Sequence, residues 1–85
     1  MYKILFDKRV LKDLRKIDKQ HQKQVIEAIE EKLAKDPYRG KRLLGDLSGL
    51  YRYRVGKYRI IYAIYDDRVE IEVIKVGHRR EIYEK

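Results

Sequence analysis

The chain has no cysteine, which rules out a disulfide scaffold and thiolate metal sites and fits a reducing compartment. It also lacks any apolar run long enough to span a bilayer, which takes about 20 residues in a helix. The amino terminus, MYKILFDKR, is a short apolar strand with charges rather than a charged stretch followed by a long apolar one. The expectation is a soluble, cytoplasmic protein with no membrane partner. No internal repeat, linker or low-complexity segment breaks up the 85 residues, so one domain over 1–85 is expected, with a modest core and a surface that carries most of the function. No metal-ligand cluster, Gly-rich phosphate loop or Ser–His–Asp set is visible, and neither a metal nor a cofactor is called for.

Positive charge is what the chain has in excess. There are 22 Lys and Arg against 14 Asp and Glu, a formal charge of +8, so the partner should be anionic, nucleic acid first and an acidic protein second. The excess is uneven: Asp36 to Ile60 holds seven positive and two negative residues (7 − 2 = +5), Met1 to Lys35 ten and six (10 − 6 = +4), and Ile61 to Lys85 five and six (5 − 6 = −1). Basic density therefore peaks over Leu50 to Tyr65, LYRYRVGKYRIIYAIY, and the stretch before it.

That stretch reads as a hairpin. Alternation from Leu50 to Val55 puts Tyr51, Tyr53 and Val55 on one face and Leu50, Arg52 and Arg54 on the other. Gly56-Lys57, glycine first, is the pattern of a type II′ turn, and Tyr58 to Tyr65 returns as a strand. If the turn closes in that way, Arg59 lies close to Arg54, and three permanent positive charges crowd one end of a sheet.

Before the hairpin, Tyr2 to Phe6 alternates as a short strand, and Asp7 follows as an N-cap. Val10, Leu11, Leu14 and Ile17 fall at helical spacing, with Asp13 among the residues filling the other face. A second helix runs from about Lys19 to Ala34 and is stopped by Asp36-Pro37. Tyr38 to Gly49 reads as a loop pinned by leucines. After a turn at Asp66-Asp67, Arg68 to Val76 alternates as a further strand, which Gly77 breaks, leaving a short tail with one helical turn. The fold class expected is α+β: a helical hairpin packed on a small, mostly antiparallel four-stranded sheet in the order β-α-α-β-β-β. Arg52, Arg54 and Arg59 would project from the face the helices leave open.

Each candidate residue has two readings. The three arginines are either a phosphate site, because a guanidinium fork matches phosphate oxygens at any working pH, or a solvated strand face. Tyr51, Tyr53 and Tyr62 suit the core better than base stacking, whereas Tyr83, beside Arg79 and Arg80, suits function. His78 is the one side chain near the arginines that titrates close to neutrality, so it is either a general acid or base or an incidental residue. From the residues alone the chain is a basic α+β domain with an anion site.

The hairpin and tail together, LYRYRVGKYRIIYAIYDDRVEIEVIKVGHRREIY, with the early Leu-Lys-Asp-Leu-Arg-Lys helix, the Leu-Xaa-Gly loop and the Val-Gly-His-Arg stretch, resemble the RelE branch of the RelE/ParE toxin superfamily over nearly the whole chain. The resemblance implies a type II toxin that cuts messenger RNA in the ribosomal A site without a metal. A ribose 2′-hydroxyl attacks the adjacent phosphate, leaving a 2′,3′-cyclic phosphate and a 5′-hydroxyl. It places Arg59, Arg79, Tyr83, Arg54 and His78 in catalysis and Arg52, Arg54, Lys57, Arg80, Lys41 and Arg42 on the RNA. Where some relatives carry lysine this chain has Arg52 and Arg54, and arginine effectively cannot give up its proton. Proton abstraction therefore goes first to His78, with Tyr83 or a water-mediated route behind it. The partners implied are an acidic RelB-like antitoxin in a hetero-oligomer and the ribosome with its messenger and ribosomal RNA. Two alternatives remain open: a ParE-like gyrase inhibitor without nuclease activity, and a non-toxic basic binding module.

Overall fold

The computed structural model describes residues 1–78; the expected tail lies outside them. The first strand, β1 (Lys3–Phe6), hands over to helix α1 (Lys8–Arg15) at Asp7, whose carboxylate accepts the Arg9 amide at 2.9 Å. This satisfies one of the free donors of the first turn. Helix α1 ends before Ile17, but Ile17 still packs inward at 5% exposure. The chain end of the helix is tied to the next one, because the Gln22 side-chain Nε2 donates to Leu14 O at 2.5 Å and to Ile17 O, just beyond the helix, at 2.7 Å.

Helix α2 (Lys19–Ala28) passes into a π-helical turn, Ile29–Leu33, closed by Ala34 N on Ile29 O at 2.9 Å. The wider turn takes in one extra residue, so that Leu33 and Ala34 are both buried. Ala34 O in turn accepts the Tyr2 amide at 2.7 Å, which ties the end of this helical segment to the start of β1.

Among the described residues the sheet has five strands, β1, β2 (Lys41–Arg42), β3 (Leu50–Val55), β4 (Tyr58–Tyr65) and β5 (Glu70–His78), in the order β1-β5-β4-β3-β2, antiparallel except for the parallel β1–β5 pair. Four had been expected. The additional one, β2 (Lys41–Arg42), pairs with Arg52 and Tyr51 inside the stretch read as a loop. Two residues are too few to show alternation, and tertiary pairing alone creates this strand. Strands β3 (Leu50–Val55) and β4 (Tyr58–Tyr65) form the hairpin as expected.

Strand β5 (Glu70–His78) departs from its expected bounds at both ends. Arg68 belongs to a 3-10 turn over Asp66–Arg68, and Val69 follows it in the left-handed region at φ 52° and 48% exposed. Gly77 does not break the strand but pairs with Arg59. In the middle, the register slips between Ile61↔Lys75 and Tyr62↔Val73, leaving Ile74 as the extra residue of a bulge. The bulge turns Val73 and then Val76 toward the core, both essentially fully buried.

The two helices cover one face, where Val10, Val25, Ile29 and Leu33 meet Ile60, Tyr62, Ile71, Val73 and Val76. Tyr51, Tyr53 and Val55 pack against this cluster, the face expected of them. The opposite face is only partly open. Leu43 and Leu47 fold back over Ile61 and Leu50 as a second small cluster, with Ile61 at 5% exposure. Burying each such side chain is worth about 1.5–3 kcal/mol, enough to hold the 43–49 segment down beside the arginines. No helix among the described residues is long and apolar enough to cross a membrane.

Candidate functional site

Gly56 has φ +59°, and Lys57 has no positive φ, so the turn is closed in the glycine-first manner the sequence requires. Val55↔Tyr58 closes the hairpin and Arg54↔Arg59 is the next pair. Beside a hydrogen-bonded closing pair the following one is non-hydrogen-bonded, with side chains at their nearest, Cα atoms about 4.5 Å apart. Lys41↔Arg52 forms a second like-charge pair on the neighbouring strands. Like charges set directly opposite are destabilising. Two such pairs side by side gather four cations on one part of the sheet.

The second pair is held in place from beneath. Tyr62 is buried, and its hydroxyl donates to Pro37 O at 2.5 Å and accepts the Gly40 amide. Burial pushes this phenol well above its ordinary value. A side chain on Gly40 would overlap the Tyr62 hydroxyl and come within 2.8 Å of Arg52 O. Close approach, not an unusual backbone angle, requires glycine here, immediately before the residue that pairs with Arg52.

The remaining expected residues are scattered. Arg54 is exposed and lines a cleft of about 400 Å³ between β3 and α2, together with Glu27 and Glu31. Lys57 sits exposed in the turn, and Arg42 stands opposite Tyr51, on the other side of its strand from Lys41. His78 pairs with Tyr58, with ring centroids 6.0 Å apart at 83°. It occupies the same strand end as Arg59 but the helix-covered face. Arg79, Arg80 and Tyr83 lie outside the described residues. Among the described residues no group of three or more His, Cys, Asp or Glu is placed to hold a metal.

Two features escaped the sequence reading. Asp13, taken as part of the outer face of α1, has a side chain only 13% exposed. Its carboxylate accepts the Val76 amide at 3.1 Å and lies 3.7 Å from the Lys75 ammonium, capping the edge of β5 beyond the end of β1. Asp66 accepts from the Tyr2 hydroxyl at 2.7 Å and from the Tyr38 hydroxyl. These two donors hold its carboxyl below the ordinary range, Tyr38 contributing most. The same contact pushes Tyr38 up to about 12 and raises Tyr2. Periodicity carries no signal for either carboxylate, because every partner is distant in the chain.

A family model described as ParE toxin of type II toxin–antitoxin systems, parDE, matches residues 4–83. The chain is 32% identical to the toxin RelG of Mycobacterium tuberculosis, over 99% of this chain and 98% of that one. To the putative toxin RelE1 of Methanocaldococcus jannaschii it is 34% identical, over 96% of this chain and 94% of that one. Its structure superimposes on a chain of the RelBE2 toxin–antitoxin complex of M. tuberculosis with a TM-score of 0.88, at 32% identity, covering 92% of this chain and 98% of that one.

Proposed function

This chain belongs to the ParE toxin family of type II toxin–antitoxin systems and is a RelE-like toxin, and from that premise we propose that it is an endoribonuclease that cleaves messenger RNA in the ribosomal A site and so inhibits translation. The observation that carries the reading is the strand register, which sets Arg54 opposite Arg59 and Lys41 opposite Arg52. Four cations gathered by the strand register on one part of the sheet are what an RNA backbone would engage.

In the proposed reaction, the 2′-oxygen of one ribose attacks the adjacent phosphorus while the bond from phosphorus to the 5′-oxygen breaks. The products are a 2′,3′-cyclic phosphate and a 5′-hydroxyl. Arg59 and Arg79 stabilise charge building on the phosphoryl oxygens; removing one positioned donor of this kind costs about 10²–10³ in rate. Arg54 shares that charge, Arg52, Lys41, Arg42, Lys57 and Arg80 hold the RNA, and Tyr83 orients a base. The 2′-hydroxyl proton goes to His78, and a protonated group returns one to the leaving oxygen. Since His78 and Arg59 occupy opposite faces of one strand end, the RNA has to turn over that end to meet both. Arg79, Arg80 and Tyr83 enter this scheme by sequence position alone.

The partner is an acidic RelB-like antitoxin that covers the basic face in a hetero-oligomer. Support comes from the +8 charge and from the similar M. tuberculosis chain, which was solved in a toxin–antitoxin complex. The targets, ribosomes with their messenger and ribosomal RNA, place the activity in the cytoplasm.

Primer extension on a translated message, with ribosomes and either wild-type protein or Arg59→Ala, tests this. Ribosome-dependent cuts within A-site codons that vanish in the variant are expected. Growth arrest with intact message would overturn the nuclease reading and favour gyrase poisoning, to be followed by a supercoiling assay.

A further inference from the structure

Strand β5 outruns its neighbour β1. Their last pair is Phe6↔Val73, and the Asp7 amide adds one bond to Val73 O at 2.9 Å. From Lys75 to His78 the strand keeps β4 on one side, while among the described residues no strand lies on the other. This end also begins at the bulge, where Ile74 interrupts the ladder. The segment that carries His78 is therefore joined to the sheet by a single ladder that starts at a break.

Helix α1 meets the bare side instead. Asp13 Oδ2 accepts the Val76 amide at 3.1 Å, and Oδ1 lies 3.7 Å from the Lys75 ammonium. One carboxylate thus grips the main chain of one residue and the side chain of the residue before it, the two that follow the bulge. A hydrogen bond to a charged acceptor is roughly twice as strong as a neutral one, and the Asp13 side chain, 13% exposed, keeps most competing water away. Asp13 does this at a cost to its own helix. It stands in the last turn of α1, where a carboxylate faces the negative end of the helix dipole, and aspartate is among the poorer helix formers. The strand it reaches, not the helix it belongs to, accounts for its place.

The register of this end is set elsewhere. Val76 is 1% exposed, and a slip by one residue would turn it out to solvent and turn Lys75 inward. Without Asp13 the pairing should therefore persist while the strand end swings on β4 alone. Only Gly77 separates His78 from the gripped residue, and the His78 ring stands 6.0 Å from that of Tyr58 at 83°.

We propose that Asp13 is a positioning residue for the reaction: by holding the Val76 amide and Lys75 from helix α1, it fixes where β5 presents His78 relative to Arg59 on the neighbouring strand. The catalytic consequence rests on the RNA-cleaving reading, whereas the place of His78 is measured without RNA.

The experiment compares wild type with Asp13→Asn, which keeps an acceptor for the Val76 amide, Asp13→Ala, which removes both contacts, and Lys75→Gln, which removes the ammonium alone. In ribosome-dependent cleavage assayed well below each melting temperature, Asp13→Ala is expected to lower kcat by about 100-fold, the cost of a displacement of about 1 Å. KM should stay unchanged, because Arg52, Arg54 and Arg59 still hold the RNA, and Asp13→Asn should recover most of the rate. In the free protein the His78 imidazole proton signals should move toward those of a free histidine in Asp13→Ala, as the ring leaves Tyr58, and stay in place in Asp13→Asn. Lys75→Gln guards against a variant that does not fold, and should show the same shift in smaller measure. A lower melting temperature with kcat and the imidazole signals unmoved would show that Asp13 only supports the fold and overturn the proposal, as would a raised KM at constant kcat. If wild-type protein cuts no message, the RNA-cleaving reading falls while the imidazole signals still decide whether Asp13 places His78; cleavage with imidazole signals indifferent to Asp13→Ala does the reverse.

Discussion

At Arg54 and Arg59 a single pairing combines a cost in stability with a gain in charge. Arg54 is exposed and opposite a like charge, so Arg54→Ala should leave the melting temperature unchanged or raise it while lowering message cleavage. Parallel thermal unfolding and primer extension would separate the two effects, and a clear fall in melting temperature would show that the arginine supports the fold. Tyr62 should behave in the opposite way. Tyr62→Phe deletes the donor to Pro37 O and leaves that carbonyl and the Gly40 amide short of a partner, a loss of about 1–3 kcal/mol to be read from the urea midpoint. The sequence marked Tyr62 as core by its place in an apolar strand, but not its hydroxyl's partner, 25 residues away in the chain. Asp66 was legible as a turn residue and nothing more. Its folded pKa is depressed, so its contribution is present above the ordinary carboxylate value of 3.8 and is lost as pH falls through the folded value. Its partner Tyr38 is raised from 10.0 to about 12, so stability linked to that phenol is present below 10 and lost as pH rises through 12. Melting temperatures measured from pH 2 to 6 should show an acid limb that is shallower in Asp66→Asn.

Among the elements, the hairpin was readable because three local signals agreed: alternation in β3, glycine first in the turn, and an Ile- and Tyr-rich return strand. Replacing Gly56, at φ +59°, by alanine should cost about 1–2 kcal/mol, the penalty for a Cβ in the left-handed region, and asparagine should cost less. Equal denaturation midpoints for the three proteins would show that the turn relaxes instead. The elements that sequence reading missed share one property, a break in period. The π turn at Ile29–Leu33 shifts the helical stripe by one residue, and the bulge at Ile74 shifts the strand alternation by one. Strand β2 is too short to have a period at all. Asp13 looked like an outward helix residue because the edge of β5 that it caps is 63 residues away in the chain. The candidate site was legible in the same proportion: Arg52, Arg54 and Arg59 came from the hairpin pattern, whereas the face occupied by His78 depends on the bulge that resets β5.

Taken whole, the molecule concentrates cations at one end of a small sheet and should bind single-stranded RNA with a strong dependence on salt. If Lys41, Arg52, Arg54 and Arg59 each neutralise one phosphate, the logarithm of affinity should fall against the logarithm of salt with a slope of about −3, and Arg54→Ala should make it shallower by about 0.7. A slope that the variant does not change would mean that the arginine pair stays off the backbone. The sheet also has an order of assembly written into it. Strand β5 lies between β1 and β4, so the first strand made must wait for the last one among the described residues. During synthesis, β1 has no neighbour to join and β4 keeps one edge open until the segment from Glu70 to His78 has emerged. Products that stop short of Glu70 therefore leave open the two strand edges that β5 would close, the condition in which chains pair with one another. A message cut short near its end is therefore expected to yield aggregating fragments rather than a weaker toxin, which sedimentation of a product ending before Glu70 would check.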